Sequence, residues 1–92
     1  DAGPILFQAE EPIDPRETAS ELGARLSELG AQALVEALAL LEADAVEERE
    51  QDHGAATYAP KVDRETARVD WDGEARDVAN WIRAMDEVPG AW

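Results

Sequence analysis

A mostly helical chain with one or two short strands is what this sequence predicts. Three observations carry that expectation. Leucines and alanines recur at three- and four-residue steps between positions 19 and 43. A second, shorter stretch of helical spacing runs from about Glu74 to Met85. One compact apolar run, Ile5-Leu6-Phe7, lies near the start, β-branched or aromatic at two of three positions and followed by polar Gln8-Ala9-Glu10-Glu11. Such a run reads as one buried strand, because short β-favouring runs bounded by turn residues suit a pleated, covered surface.

In chain order, Asp1-Ala2-Gly3-Pro4 puts a carboxylate on a turn just ahead of that strand, where loops at a sheet rim carry chemistry. On local signal alone, an Asp beside Gly is an ordinary turn residue. Pro12 and Pro15 around Asp14 predict a turn or strand edge with Ile13 pointing inward, since proline offers no amide donor. Thr18-Ala19-Ser20-Glu21 has capping-box spacing and predicts a helix start. The helix expected over about 19–43 places Leu22, Leu26, Leu29, Ala33, Ala37 and Leu41 on one wide apolar face, with Leu34 and Leu38 beside them. Gly23 and Gly30 each cost roughly 1 kcal/mol against Ala, and each fully buried Leu returns roughly 1.5–3 kcal/mol. The stripe is therefore expected to be core, with Gly30 at a kink or close contact. By itself the helix has nothing to cover the stripe and needs a sheet or a partner.

Residues 45–54 are charged, aperiodic and end in Gly54, which reads as a linker containing the only histidine, His53, as a solvated loop residue. Thr57-Tyr58 ahead of Pro60 predicts extended chain, with Tyr58 as an anchor against a neighbouring domain. Lys61, the sole lysine, is a candidate contact for an anionic substrate; a surface ion pair is the plainer account. Val69 and Trp71 are expected on one face of an extended segment. Asp72 or Gly73 is the expected cap of the second helix. Ala75, Val78, Ala79, Ile82 and Met85 are expected inside it, with Arg76, Asp77, Asn80 and Arg83 largely outside. Val88-Pro89-Gly90-Ala91-Trp92 stops that helix.

Ninety-two residues suffice for one small domain with a modest core. Without cysteine there are neither disulfides nor thiolate metal sites, and no metal is expected. No apolar run is long enough to span a bilayer and no signal-peptide pattern opens the chain, so the expectation is a cytosolic protein with no membrane partner. Against 8 basic residues stand 22 acidic ones, a net charge of −14, and seven of the eight cations are Arg. That field repels phosphates, so this chain alone is not expected to hold nucleic acid. The acids are spread along the chain, as on the solvated surface of a protein adapted to high salt.

Three blocks, in order, resemble the folate-dependent formyltransferases. Asp1-x-Gly3-Pro4-Ile5-x-x-Gln8 is similar to the segment carrying that family's catalytic aspartate. Gln51 and Ala56-Thr57-Tyr58-Ala59-Pro60-Lys61 resemble a segment of the methionyl-tRNA formyltransferases. Ile82-Arg83-Ala84 and Pro89-Gly90-Ala91-Trp92 look like the same group. Asn80-Trp81-Ile82-Arg83 and Asp86-x-Val88-Pro89-Gly90-Ala91-Trp92 are closer to the hydrolase domain of 10-formyltetrahydrofolate dehydrogenase. The resemblance implies an α/β fragment of a Rossmann-like fold, its strand in a parallel sheet covered by the long helix. Residues 1–46 would end the catalytic domain, 47–66 form a linker, and 67–92 begin the C-terminal domain.

It also implies transfer of a formyl group from 10-formyltetrahydrofolate to an amine, most simply that of methionyl-tRNA, or to water. Asp1 occupies the position of the catalytic Asp. The family's partner Asn and His are absent, since Asn80 and His53 lie in other segments. The chain thus reads as a slice that is inactive alone. A different class, an acidic helical module docking a basic partner, lacks a reason to carry the three blocks in family order. Self-association through the 19–43 helix is a further expectation for the isolated chain.

Overall fold

The structure, a computed structural model, describes all residues from Asp1 to Trp92. Two α-helices dominate it: α1, Ala19–Glu42, and α2, Ala75–Ala84, with a 3₁₀ turn at His53–Ala55 between them. The chain divides into two compact units, Asp1–Glu11 with Leu26–Ala59, and Pro12–Arg25 with Pro60–Trp92.

The start of α1 is set by the expected capping box. Glu21 N–H donates to Thr18 Oγ1 (3.4 Å) and Thr18 N–H donates to Glu21 Oε2 (2.9 Å). Each side chain satisfies a donor that the first turn leaves without an intrahelical partner. The helix stops in a Schellman arrangement. Asp44 sits in the left-handed region (φ 53°), Ala45 N–H donates to Leu40 O (2.9 Å) and Asp44 N–H to Leu41 O (3.1 Å).

The stripe on α1 is not core: none of its side chains is buried. Leu22, Leu29, Ala33, Ala37 and Leu40 are half-buried, whereas Leu34 and Leu38 are 61% and 54% exposed. Four of the six residues expected on the apolar face are half-buried, but Leu26 and Leu41 are 46% and 49% exposed, and Leu40 takes a half-buried place instead. A Cβ at Gly30 would meet nothing within 4 Å, so this glycine marks no close contact.

The expected strand at Ile5-Leu6-Phe7 is also corrected. It reduces to one isolated antiparallel bridge between Ile5 and Arg49, and Phe7 is exposed. A strand needs a neighbour along its length to pair its amides and carbonyls, and only Arg49 supplies one. The chain therefore shows a helical fold with no sheet. Ile13, expected inside, is exposed. The turn itself forms, with Glu17 N–H on Asp14 O (3.2 Å).

The second unit holds the only buried side chains, Ala67, Val69 and Met85. Trp92 closes on this segment: Val69 N–H donates to Trp92 O (2.7 Å) and Trp92 N–H donates to Ala67 O (3.2 Å). Trp71 does not share the inward face of Val69. It lies in the following turn and is 72% exposed.

Helix α2 begins one residue beyond the expected caps, with Glu74 at the N-cap and no side-chain capping bond. Asp70 takes the Asp72 amide instead (3.1 Å), forming a turn ahead of the helix. Ala75, Ala79 and Ile82 are exposed, while Asn80 and Arg83, expected outside, are half-buried. The reason is polar. The Arg83 guanidinium donates to Asn80 Oδ1 (3.0 Å), Glu17 O (2.9 Å) and Asp14 O (3.3 Å). Past α2, Gly90 adopts φ +83° and its N–H donates to Met85 O (2.9 Å), reversing the chain toward Trp92.

Candidate functional site

Pro4 and Gly3 leave the opening turn little to hold it locally, so its order comes from a distant segment. Ile5 N–H donates to Arg49 O (2.8 Å) and Arg49 N–H donates back to Ile5 O (3.0 Å). The Arg49 guanidinium also donates to Gln8 Oε1. One step further on, the Gln51 side-chain amide reaches two backbone carbonyls, Gly3 O at 2.7 Å and Asp1 O at 3.1 Å. Residues 45–54, read from sequence as a linker, thus hold the opening turn. Asp52 then caps the 3₁₀ turn by accepting from Gly54 N–H (2.9 Å).

These contacts form the wall of an open depression of about 380 Å³, lined among others by Asp1, Ala2, Gln51, Asp52 and His53. Asp1 is exposed there. His53 lines the same depression and is exposed, but no hydrogen bond joins the two. Lys61 belongs to the other unit, is exposed, and makes neither a hydrogen bond nor an ion pair. Tyr58, expected to anchor, is 90% exposed and covers nothing in this chain. No three His, Asp or Glu side chains are grouped to hold a metal ion.

Two further polar clusters lie in the second unit. Arg25 pairs with Glu17 (2.5 Å) and also donates to Pro12 O (3.1 Å). The Arg25 hydrogen bond is the main reason the Glu17 carboxyl is held below its usual value. At the end of the chain, Trp92 Nε1 donates to Arg64 O (2.7 Å), and the guanidinium carbons of Arg64 and Arg68 stand 5.2 and 5.6 Å from the ring centroid. Both distances suit a cation–π contact. Asp63, nearby in sequence, is held low by the Thr66 amide and hydroxyl. Sequence reasoning missed the structural role of Gln51 and both arginine clusters. Each depends on partners 8 to 50 residues away, and single-residue spacing carries no trace of them.

Residues 61–92, which hold the buried segment and α2, match the family described as formyl transferase, C-terminal domain. The likeness extends over the opening turn as well. The chain is 47% identical over 91 residues to methionyl-tRNA formyltransferase of Thermotoga maritima, covering 99% of this chain and 29% of that protein. It is 41% identical over 92 residues to methionyl-tRNA formyltransferases of Chlorobium phaeovibrioides and Brucella ovis, covering all of this chain and 29% and 30% of theirs.

Residues 61–92 match a formyl transferase C-terminal domain, and the whole chain is similar to methionyl-tRNA formyltransferases. It spans under a third of the length of these curated relatives. Asp1, Gln51, His53 and Ala56 all lie outside the stretch matched by the C-terminal domain and inside the stretch aligned with the relatives.

Proposed function

We propose that these residues are part of a cytosolic enzyme that moves a formyl group from 10-formyltetrahydrofolate to the amine of methionyl-tRNA. The observation that carries this reading is the 41–47% identity over essentially the whole chain to proteins named methionyl-tRNA formyltransferase. A hydrolase-type reaction, with water as acceptor, is the second reading. It is favoured by the Asn80-Trp81-Ile82-Arg83 and Asp86-x-Val88-Pro89-Gly90-Ala91-Trp92 blocks.

In the proposed reaction the amine attacks the formyl carbon, the carbonyl oxygen becomes an oxyanion, and the amine sheds a proton as the folate nitrogen leaves. Asp1 carries the negative charge that this proton transfer requires, working with groups outside these 92 residues. Its place on an exposed turn at an open depression supports access by substrate. Residues 1–46 contribute to the catalytic domain, 47–66 connect, and 67–92 open the C-terminal domain. Lys61 is placed against the anionic acceptor. The even spread of 22 acids and the single lysine support adaptation to high salt. The 92-residue chain alone has no formyl transfer activity.

Formyl transfer by the full-length gene product is the test. Asp1→Asn lowers kcat by about 100-fold or more, within the usual range for a positioned acid–base group. Wild-type turnover in that variant overturns the reading.

A further inference from the structure

We propose that Gln51 is a positioning residue, whose side-chain amide clamps the backbone turn that presents the Asp1 carboxylate. The inference rests on the reading of Asp1 given above. Its own basis is geometric. The Nε2 of Gln51 donates simultaneously to the carbonyls of Asp1 (3.1 Å) and Gly3 (2.7 Å), across 50 and 48 residues of chain. An amide nitrogen has two hydrogens, so one side chain can serve both acceptors at once. Apart from this clamp, the opening turn is tied down only from Ile5 onward, through the Arg49 bridge and the Arg49–Gln8 contact. Asp1 and Ala2 are exposed, and a Cβ at Gly3 would meet nothing within 4 Å. Within these 92 residues no other hydrogen bond holds the carbonyls of Asp1 and Gly3.

The clamp sits where it matters for geometry. Gln51 is half-buried beside an exposed carboxylate, so it holds the turn while leaving the Asp1 side chain open to the depression. Its nitrogen touches backbone oxygens and not the carboxylate. It therefore acts through where Asp1 stands, not through proton transfer. A displacement of about 1 Å of a reacting group can cost on the order of 100-fold in rate.

The test is a double-mutant cycle in the full-length gene product, with formyl transfer from 10-formyltetrahydrofolate to methionyl-tRNA as readout. Gln51→Met keeps length and removes both donors. It is expected to lower kcat about 10- to 100-fold and to leave the KM for either substrate within about threefold. In the Asp1→Asn background the same change is expected to cost nothing further, because a misplaced group that is already gone cannot be misplaced again. An equal fold-loss in both backgrounds, or wild-type kcat in Gln51→Met beside an impaired Asp1→Asn, overturns the inference while leaving the reading of Asp1 intact. Full activity of Asp1→Asn overturns both. Should Gln51→Met fail to fold, Gln51→Asn retains the amide but withdraws it by one methylene, and its kcat loss is read in the same cycle.

Discussion

Residues 67–92 contain every buried side chain of the protein, Ala67, Val69 and Met85, whereas α1, of nearly the same length, contains none. The contrast is not one of apolar content. Over 24 residues α1 carries the longer leucine stripe, and α2 has only ten residues. What differs is chain reversal. After α2, Gly90 turns the backbone so that Trp92 hydrogen-bonds to Ala67 and Val69, and the segment closes on itself. After α1, the Schellman turn at Asp44 is followed by charged chain, and Leu22, Leu29, Ala33, Ala37 and Leu40 reach only half-burial. Apolar surface becomes core only when a turn brings something back to cover it.

This contrast can be tested by substitution on either side. The largest effect is expected at Met85. Met85→Ala should cost about 2–5 kcal/mol, the usual range for emptying a buried site, read as the unfolding free energy in urea. A cost below about 1 kcal/mol would show that residues 67–92 are not closed as described. Next comes Arg83, whose guanidinium holds two carbonyls and Asn80. Arg83→Ala should cost about 1–3 kcal/mol, because half-buried acceptors lose their donor. Lysine should rescue this only partly, since a single ammonium cannot reproduce the planar fork.

A pH effect is expected from Glu17. Its folded carboxyl titrates below the ordinary value of 4.5, chiefly through the hydrogen bond from Arg25. A depressed folded value stabilises the protein fully above the unfolded one, and the contribution disappears as pH falls below about 4.5 through the lower folded value. Arg25→Ala should flatten that part of the stability–pH curve. The smallest effect belongs to α1. In the 92-residue chain at low concentration, Leu38→Gln should change stability by less than about 0.5 kcal/mol. A loss of several times that size, growing with protein concentration, would show a second copy covering the leucine face, and would sharpen the contrast into one between self-closure and pairing.

Local signals were legible in the sequence; distant pairings were not. Thr18 and Glu21 announced the start of α1 to the residue, because a capping box is written within four positions. The spacing of leucines gave the apolar face only in part, with Leu26 and Leu41 exposed, because spacing holds no information on what lies opposite. Ile5-Leu6-Phe7 read as a strand because its composition suits one. It remains a single bridge because pairing is a property of two segments, and only Arg49 answers. Asn80 and Arg83 were misplaced for the same reason. A polar residue on a helix is expected outside unless acceptors such as Asp14 O and Glu17 O, far away in the chain, draw it in. Of the site, Asp1 was legible only through family likeness, and the hold exerted by Gln51 not at all.

The termination of α1 has one more consequence. The helix ends on Glu42 with no basic residue in its last turn, and the left-handed position just beyond it is filled by Asp44. Two carboxylates therefore stand at the end where the summed peptide dipoles are already negative. Asp44 further adopts a backbone conformation that glycine enters without strain. The end of α1 is electrostatically frustrated, and replacing Asp44 with glycine would relieve both penalties together.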